Sequence, residues 1–149
     1  MSGVVLRAYR ADDLEPALDL WRRAWNAAMP EIDFAARMDW WRGRWLGELV
    51  PNNRMTVAET ERALIGFVVI DPNSGYLDQI VVDPGYWGSK AAKMLLDEAQ
   101  RISPQSITLD VNQNNERAIR FYEREGFVRT GEGKNSISEK PTFRYAWKP

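Results

Sequence analysis

The stretch YLDQIVVDPGYWGSKAAKMLLDEAQ, residues 76–100, constrains the fold more than any other part of this chain. Its pattern predicts a strand over 76–82, a short loop, and a helix over 89–102. A strand that leads through a loop of small residues into a helix is a common way to hold a phosphate, because the first amides of the helix point at the ligand. The loop is poor in glycine and contains Lys90, so the stretch suggests a phosphate site of unusual composition.

The remaining pattern places this unit in a single domain, residues 1–149. Further strands are predicted over 3–10, 54–60, 63–70, 106–111, 127–130 and 142–147. Further helices are predicted over 12–29 and 33–49, and between residues 114 and 126. Hairpins in the middle and one crossover helix then predict an α/β (α+β) fold, with a mixed sheet and helices on its faces.

Local signals mark several ends of these elements. Asp12, followed three residues later by Glu15, indicates a capping box at the first helix. Asn114 or Asn115 is expected to cap the last helix. Residues 51–53 are expected to form a turn, and the polar segment 131–141 is expected to be a loop between the last two strands.

The chain contains no Cys and no His, which narrows the chemistry available to it. A catalytic Cys, a Ser-His-Asp triad and a zinc site built from His and Cys are excluded. No loop has the acidic spacing of a calcium site, and no metal is expected. Proton transfer must therefore use Asp, Glu, Tyr, Lys, a chain amine or water.

Charge and hydropathy limit the partners of the chain. The net charge is −1 and the pI about 5.6, with no basic stripe, which argues against nucleic acid as a partner. The longest apolar run, residues 63–70, is far shorter than the roughly 20 residues of a membrane span. We therefore expect a soluble cytoplasmic protein, monomeric or homodimeric, without a membrane partner.

Two segments, VVDPGYWGSKAAKMLL and SITLDVNQNNERAIRFYEREGF, together with the order of strands and helices, resemble the GNAT superfamily of N-acetyltransferases. The second segment matches more closely. Members of that family carry an Asn, an Ala three residues on, an aromatic or Leu followed by Tyr, and a Gly-Phe pair. Here these residues are Asn115, Ala118, Phe121, Tyr122, Gly126 and Phe127.

The resemblance implies a GNAT-like acyl-CoA N-acyltransferase fold. Such a fold has a mostly antiparallel sheet with a central parallel pair and about four helices. The resemblance also implies acetyl-CoA as co-substrate and an amine of a small molecule or peptide as acceptor.

The family's phosphate loop reads Gln or Arg, two residues, Gly, one residue, then Gly or Ala. The corresponding positions here are Trp87, Gly88, Ser89, Lys90, Ala91 and Ala92. Trp87 and Lys90 depart from that pattern and Ala92 fits it. Lys90 can substitute for glycine if its φ is negative, and its ammonium could then contact a phosphate. Alternatively, Lys90 and Lys93 only form a solvated helix start.

Other residues take roles from the resemblance. The backbone of Ile80, Val81 and Val82 would hold the acetyl carbonyl and the amide arm of the co-substrate, which Asn115 would also contact. Tyr122 would be the general acid that protonates the departing thiolate. Because a phenol has a pKa of about 10 and a thiol one near 8.5, this step needs a shifted pKa or a favourable geometry.

The general base and the acceptor site are less defined. Asp110 is the first candidate for the base, with Asp78 and a water relay as alternatives. Asp78 is also a candidate for contact with the substrate. Trp40 lies off the apolar stripe of its helix, so it either lines a pocket for a cationic or apolar amine or only covers the surface.

The sequence therefore predicts a single-domain N-acetyltransferase that moves an acetyl group from acetyl-CoA to a primary amine. Without Cys, the amine would attack the thioester directly in a ternary complex. One alternative is a non-catalytic GNAT-like module that binds an acyl-CoA as a sensor or interaction domain. Another is an unrelated nucleotide-binding α/β domain, although no GxxxxGK[ST] loop is present.

Overall fold

The computed structural model describes residues 3–135 and 138–149, and the elements follow the predicted order. The strands are β1 (Val5–Ala8), β2 (Arg54–Glu59), β3 (Leu64–Ile70), β4 (Leu77–Val82), β5 (Ile107–Asn112), β6 (Val128–Lys134) and β7 (Pro141–Trp147). The α-helices are α1 (Leu14–Ala28), α2 (Met38–Arg44), α3 (Val50–Asn52), α4 (Ala91–Ile102) and α5 (Glu116–Arg124). None of the helices in these described residues is long and apolar enough to cross a membrane.

The strands form two antiparallel sheets that meet at one point. The first sheet has the order β1-β2-β3-β4 and the second the order β5-β7-β6. The predicted central parallel pair is reduced to a single parallel bridge between Tyr76 and Thr108. Beyond that bridge, β4 and β5 share no ladder in the described part of the chain, so the two strands separate toward their C-terminal ends.

A β-bulge lies in β4 beside the point of separation. Ile70 pairs with Leu77 and Val69 pairs with Gln79, which leaves Asp78 without a partner in the ladder. A bulge of this kind bends its strand and increases the local twist. We infer that it helps to turn β4 away from β5, because the bulged Asp78 lies two residues beyond Tyr76, the last residue bridged to the second sheet.

Side chains of β3 alternate between two apolar cores, one on each face of the first sheet. Val68 belongs to the core that contains α4 and α5, and Phe67 belongs to the core that contains α1 and α2. Gly66 lets α4 lie close to the sheet: a Cβ at this position would be 2.9 Å from Leu95 Cδ1. The helices therefore flank both faces of the gap between β4 and β5.

The second predicted helix runs further than expected. A π-helical segment, Trp45–Leu49, joins α2 to α3, and the chain stays helical through Asn52, where a turn was predicted. Pro51 has no N–H to continue the regular ladder, and a π-helical turn accommodates such an interruption. The Asn52 and Asn53 side-chain amides donate to the carbonyls of Glu48 and Leu49, 2.8 and 3.1 Å away.

The predicted capping box of the first helix is wrong, because the residue at the N-cap of α1 is Asp13 and its side chain makes no capping hydrogen bond to that helix. Asp13, not Asp12, accepts a hydrogen bond from the Arg10 backbone N–H at 2.8 Å, in a short 3₁₀ turn before α1. Asp13 is buried and accepts two further bonds from the Arg7 guanidinium, each 2.8 Å long. Arg7 also bonds Glu59, so one arginine joins β1, the start of α1 and β2.

The polar segment 131–141 is shorter as a loop than predicted. Residues 131–134 extend β6, and β7 begins at residue 141, so the two strands form six residue pairs, with a bulge at Thr130. Ser136 and Ile137, in the middle of the predicted loop, lie outside the described residues.

Candidate active site

A cavity of about 1130 Å³ occupies the gap between β4 and β5. Lys90 and Tyr122 line it from the side of α4 and α5, and Trp25 and Trp40 line it from the side of α1 and α2. Since these two helix pairs flank opposite faces of the first sheet, the cavity passes through the molecule at the gap. Two ligands can therefore enter from opposite faces and meet between the strands.

The loop before α4 presents free backbone amides to this cavity. The amides of Gly88, Lys90, Ala92 and Lys93 have no hydrogen-bond acceptor in the described part of the chain. The Ser89 hydroxyl donates to the Tyr86 carbonyl at 2.6 Å and thereby holds the loop in shape. Free amides at the start of a twelve-residue helix favour an anion.

Lys90 meets the condition under which it can replace glycine. Its φ is −80°, an ordinary helical value, so its Cβ causes no strain. The left-handed conformation falls instead on Gly88, whose φ is +82°. Lys93 is paired with Asp97 and Glu125, whereas Lys90 has no acidic partner within the described residues.

Ala91 is the one predicted cofactor residue whose side chain does not line the cavity. Its methyl group is 2% exposed and packs in the core beneath α4. Its backbone N–H donates to Ser89 Oγ at 3.2 Å, so that amide is occupied as well. Ala91 therefore supports the loop from below and presents no free group to a ligand.

A tryptophan–arginine stack, which the sequence did not reveal, stands next to the loop. The indole N–H of Trp87 donates to the Val82 carbonyl at 2.9 Å. The Arg117 guanidinium lies over the Trp87 ring, with its carbon 3.7 Å from the ring centroid. Desolvation lowers the pKa of Arg117 from its usual value. Arg117 lies four residues before Phe121, so the two residues share one face of the helix. This spacing is the one sequence signal that Arg117 faces the cavity.

The end of β4 offers backbone groups along one free edge. Ile80, Val81 and Val82 pair with β3 on one side and have no strand partner on the other in the described structure. Backbone groups of this edge therefore face the cavity, which all three residues line. The Val82 carbonyl is already taken by Trp87, which leaves the groups further back along the strand for a ligand.

Asn115 and Tyr122 lie on the opposite wall, on α5. Asn115 caps the helix, because its side-chain oxygen accepts a hydrogen bond from the Ala118 N–H at 3.3 Å. Tyr122 is 7% exposed and lines the cavity. Its hydroxyl forms no hydrogen bond with any other described residue and is not fully buried. Burial raises the pKa of Tyr122 well above its usual value, so the phenol stays protonated.

Asp110 is held by two neighbours. Arg144 donates two hydrogen bonds to its carboxylate, at 3.0 and 2.9 Å, and the Tyr76 hydroxyl donates a third at 2.8 Å. Burial alone would raise the pKa of Asp110, but these hydrogen bonds outweigh it and lower the pKa below its usual value. A carboxylate that is stabilised in this way accepts a proton poorly, so the geometry disfavours Asp110 as a general base.

Asp78 is held in a similar pair. Arg44 donates to both of its oxygens, at 2.9 and 2.6 Å, and this side chain is 12% exposed. Arg44 also lies 5.6 Å from the ring centroid of Trp41. Asp78 is a predicted substrate contact, but the Arg44 guanidinium already engages its carboxylate. Asp78 instead fixes Arg44 in the cavity wall.

The wall on the α1 and α2 side is aromatic. Trp21 and Trp41 stack with their centroids 4.5 Å apart, and Trp40 lies beside Trp41 at 5.9 Å. Trp40 is 43% exposed and lines the cavity, so a ligand in the cavity can reach its ring. Arg37 lines the same wall and has no acidic partner in the part of the chain described.

The lining of the cavity is strongly basic although the whole chain has a net charge of −1. Nine basic and four acidic side chains line it among the described residues. This excess suits a ligand with several negative charges. No group of three or more acidic side chains that could hold a metal ion occurs in residues 3–135 and 138–149.

Comparisons with known proteins agree with this architecture. The model of the acetyltransferase (GNAT) family matches residues 14–127. The peptidyl-lysine N-acetyltransferase YjaB of Salmonella typhimurium is 29% identical over 141 residues, which cover 91% of each chain. YjaB of Escherichia coli is 27% identical over 143 residues, which cover 93% of this chain and 91% of that protein.

Solved structures have the same fold. The solution structure of apo YjaB from Escherichia coli has a TM-score of 0.80 and 24% identity, with 97% of both chains covered. The crystal structure of PaiA N-acetyltransferase from Thermoplasma acidophilum, in complex with coenzyme A, has a TM-score of 0.80 and 20% identity. It covers 99% of both chains.

Proposed function

The chain belongs to the acetyltransferase (GNAT) family, and from that premise we propose that it moves the acetyl group of acetyl-CoA directly to the side-chain amine of a peptidyl lysine. Acetyl-CoA is its co-substrate. The observation that carries the proposal is the cavity that opens onto both faces of the first sheet. The basic wall beside α4 and α5 suits the co-substrate, and the aromatic wall beside α1 and α2 suits the acceptor.

The co-substrate would be held mainly by backbone groups. The free amides of Gly88, Lys90, Ala92 and Lys93 would bind the diphosphate, with the Lys90 ammonium as an added charge. Free backbone groups of β4 would hydrogen-bond the amides of the pantetheine arm, as they would those of an additional strand at the sheet edge. The thioester would then lie where β4 and β5 separate, between Ile80 and Tyr122.

The transfer would proceed without a covalent enzyme intermediate, because the chain has no Cys. The lysine nitrogen attacks the thioester carbon, the C–S bond breaks and the sulfur leaves as a thiolate. Tyr122 gives its hydroxyl proton to that thiolate, and the phenolate takes a proton back from water before the next turnover. In the same buried environment the pKa of the thiol also rises, which reduces the mismatch between the two groups.

The attacking amine would lose its proton to water. Asp110 and Asp78 both have their carboxylates engaged by arginines, and the pKa of Asp110 is lowered, so neither is suited to take the proton. Their proposed role is instead to fix the two walls of the cavity. A water molecule in the open gap can carry the proton to solvent.

Two observations favour a lysine as the acceptor. The aromatic wall presents Trp40, whose exposed face can attract an ammonium group before it is deprotonated and can pack against the apolar stem of a lysine. The relatives with the name peptidyl-lysine N-acetyltransferase cover 91% or more of this chain.

The test is an acetyl-transfer assay that follows the free thiol of CoA. A lysine-containing peptide library is compared with the same library in which each lysine is replaced by arginine. We expect turnover with lysine only, and mass spectrometry should locate the acetyl group on the lysine side chain. Binding of acetyl-CoA with no turnover on any lysine peptide would refute the acceptor, and no binding of acetyl-CoA would refute the whole proposal.

A further inference from the structure

On the basis of the proposed function, on which this inference rests, we propose that Arg117 binds a phosphate group of CoA from its position on the Trp87 ring. Arg117 would then be a specificity-determining residue for the nucleotide part of the co-substrate. The loop residues before α4 would not bind the phosphates alone, because a side chain of α5 would complete their site.

The position of Arg117 is fixed through a chain of contacts. The Trp87 indole N–H is bonded to the Val82 carbonyl at the end of β4, which holds the ring in place. The Arg117 guanidinium carbon lies 3.7 Å from the centroid of that ring, so the guanidinium is in close contact with the ring face. A guanidinium that rests on a ring face directs its N–H groups outward, within its own plane. There they can bind an acceptor with two oxygens.

The guanidinium donors of Arg117 are free, in contrast to those of two other arginines that line the cavity. Arg44 and Arg144, which line the same cavity, are neutralised by Asp78 and Asp110. Arg117 has no carboxylate within ion-pair distance in the described residues. Arg117 is an exposed residue, so an anion in the cavity can reach these donors.

The surroundings of Arg117 specify the kind of anion. It lines the same cavity as the free amides of Gly88 and Lys90 and as the Lys90 ammonium. These groups offer several donors and two unpaired positive charges around one side of the gap. CoA carries phosphates at two places, its diphosphate and its 3′-phosphate, and either offers the bidentate oxygens that a guanidinium binds.

A purely structural role for Arg117 makes a different prediction. The stack could serve only to tie α5 to the loop. The chain contains a matched case of that kind: the Arg129 guanidinium lies 3.8 Å from the centroid of Phe143, outside the lining of the cavity. Arg129→Ala therefore controls for the loss of an arginine–aromatic stack.

The experiment is calorimetric titration of the full chain with four ligands. They are acetyl-CoA, CoA, 3′-dephospho-CoA and S-acetylpantetheine, which has no phosphate. The proteins are wild type, Arg117→Ala, Arg117→Lys and Arg129→Ala, each checked for folding by thermal unfolding. Arg117→Lys keeps the charge but loses the planar donors, so it also covers the case in which Arg117→Ala does not fold.

We expect Arg117→Ala to raise the Kd of acetyl-CoA and CoA about 10- to 100-fold, the usual effect of losing hydrogen bonds to a charged group. Arg117→Lys should lie between Arg117→Ala and wild type, and Arg129→Ala should match wild type. The affinity for S-acetylpantetheine should not change. If Arg117→Ala also weakens the binding of 3′-dephospho-CoA, Arg117 contacts the diphosphate. If Arg117→Ala binds 3′-dephospho-CoA as tightly as wild type does, Arg117 contacts the 3′-phosphate.

Two results would overturn the inference while leaving the proposed function intact. One is a Kd for acetyl-CoA in both Arg117 variants that stays within twofold of wild type. The other is an equal loss of affinity for S-acetylpantetheine, which would mean that the stack only shapes the loop. Failure of the wild-type protein to bind acetyl-CoA would refute the proposed function and this inference together.

Discussion

The Tyr76 hydroxyl donates a hydrogen bond of 2.8 Å to Asp110 across the seam where the two sheets share a single backbone bridge. Tyr76 precedes β4 of the first sheet, and Asp110 lies on β5 of the second. Arg144, on β7, holds the same carboxylate. One side-chain cluster therefore joins the two walls of the cavity at the end where the strands are bridged.

Tyr76→Phe should lower the free energy of unfolding by about 1–2 kcal/mol. The substitution removes a hydrogen bond to a charged group and changes little else in shape. Urea unfolding followed by fluorescence measures the effect. Tyr86→Phe is the control, because the Tyr86 hydroxyl has no hydrogen-bond acceptor among the described residues. Equal stability of Tyr76→Phe and wild type would mean that the bond does not hold the seam.

Asp110→Asn should keep kcat within about tenfold of wild type. It should also leave the dependence of kcat/KM on pH unchanged in shape. A general base contributes on the order of 10²–10⁴ to the rate, whereas a residue that positions a wall contributes less. The measurement is kcat/KM against pH, from pH 6 to 10, with a lysine peptide. We expect kcat/KM to rise with pH as the amine loses its proton, in both proteins. A thousandfold loss in Asp110→Asn would identify Asp110 as the base.

Tyr122→Phe should lower kcat about 100-fold and leave the Kd of acetyl-CoA nearly unchanged. The phenol supplies a proton in the step that breaks the C–S bond and contributes little to ground-state binding. Steady-state rates and calorimetry together separate these effects. Tyr145→Phe is the matched control, since Tyr145 is buried, bonds Glu123 and does not line the cavity. An unchanged kcat in Tyr122→Phe would exclude its role as the acid.

Trp40→Ala should raise KM for a lysine peptide roughly 3- to 30-fold, the size of a cation–π contact, without affecting the Kd of acetyl-CoA. Leu46→Ala is the control, because Leu46 is 49% exposed, lies one and a half turns further along the same helical segment and does not line the cavity. If both variants have the KM of wild type, Trp40 only covers the surface.

Asp13→Asn should lower the free energy of unfolding by about 1–2 kcal/mol at pH 7. The hydrogen bonds from Arg7, followed by that from the Arg10 N–H, lower the pKa of Asp13 in the folded chain. The contribution of Asp13 to the free energy of unfolding is therefore complete above the unfolded pKa of about 3.9. It is lost as the pH falls through the lower pKa of the folded state.

Unfolding of wild type and Asp13→Asn between pH 7 and pH 2.5 measures this contribution. The difference between the two proteins should narrow below about pH 4. Asp12→Asn is the control, since the Asp12 side chain is 82% exposed. A difference that does not depend on pH would exclude the carboxylate charge as its source.

The sequence predicted those parts of the fold that depend on neighbours along the chain. The order of strands and helices is confirmed, and the cap of α5 at Asn115 follows from side-chain and backbone groups three residues apart. The position of Lys90 at a helical φ likewise follows from the helix that begins after it. Such features need no knowledge of tertiary packing.

The parts that were not predicted depend on residues far apart in sequence. The capping box expected at Asp12 does not form, and the neighbouring Asp13 is instead held by Arg7 on another element. Arg117 reaches Trp87 from 30 positions away, and no local pattern encodes that contact. The bulge at Asp78, which we infer helps to separate β4 from β5, has no signal in the sequence.

The division into two sheets also sets the order in which the chain can acquire its active site during synthesis. β1 to β4 pair with neighbours in chain order, apart from the α1–α3 segment between β1 and β2, and this sheet can form once residue 82 has emerged from the ribosome. β5 has its ladder with β7 and so must wait for residues 141–147. Because β5 is one wall of the cavity, the nascent chain has a folded first sheet well before it can bind its co-substrate.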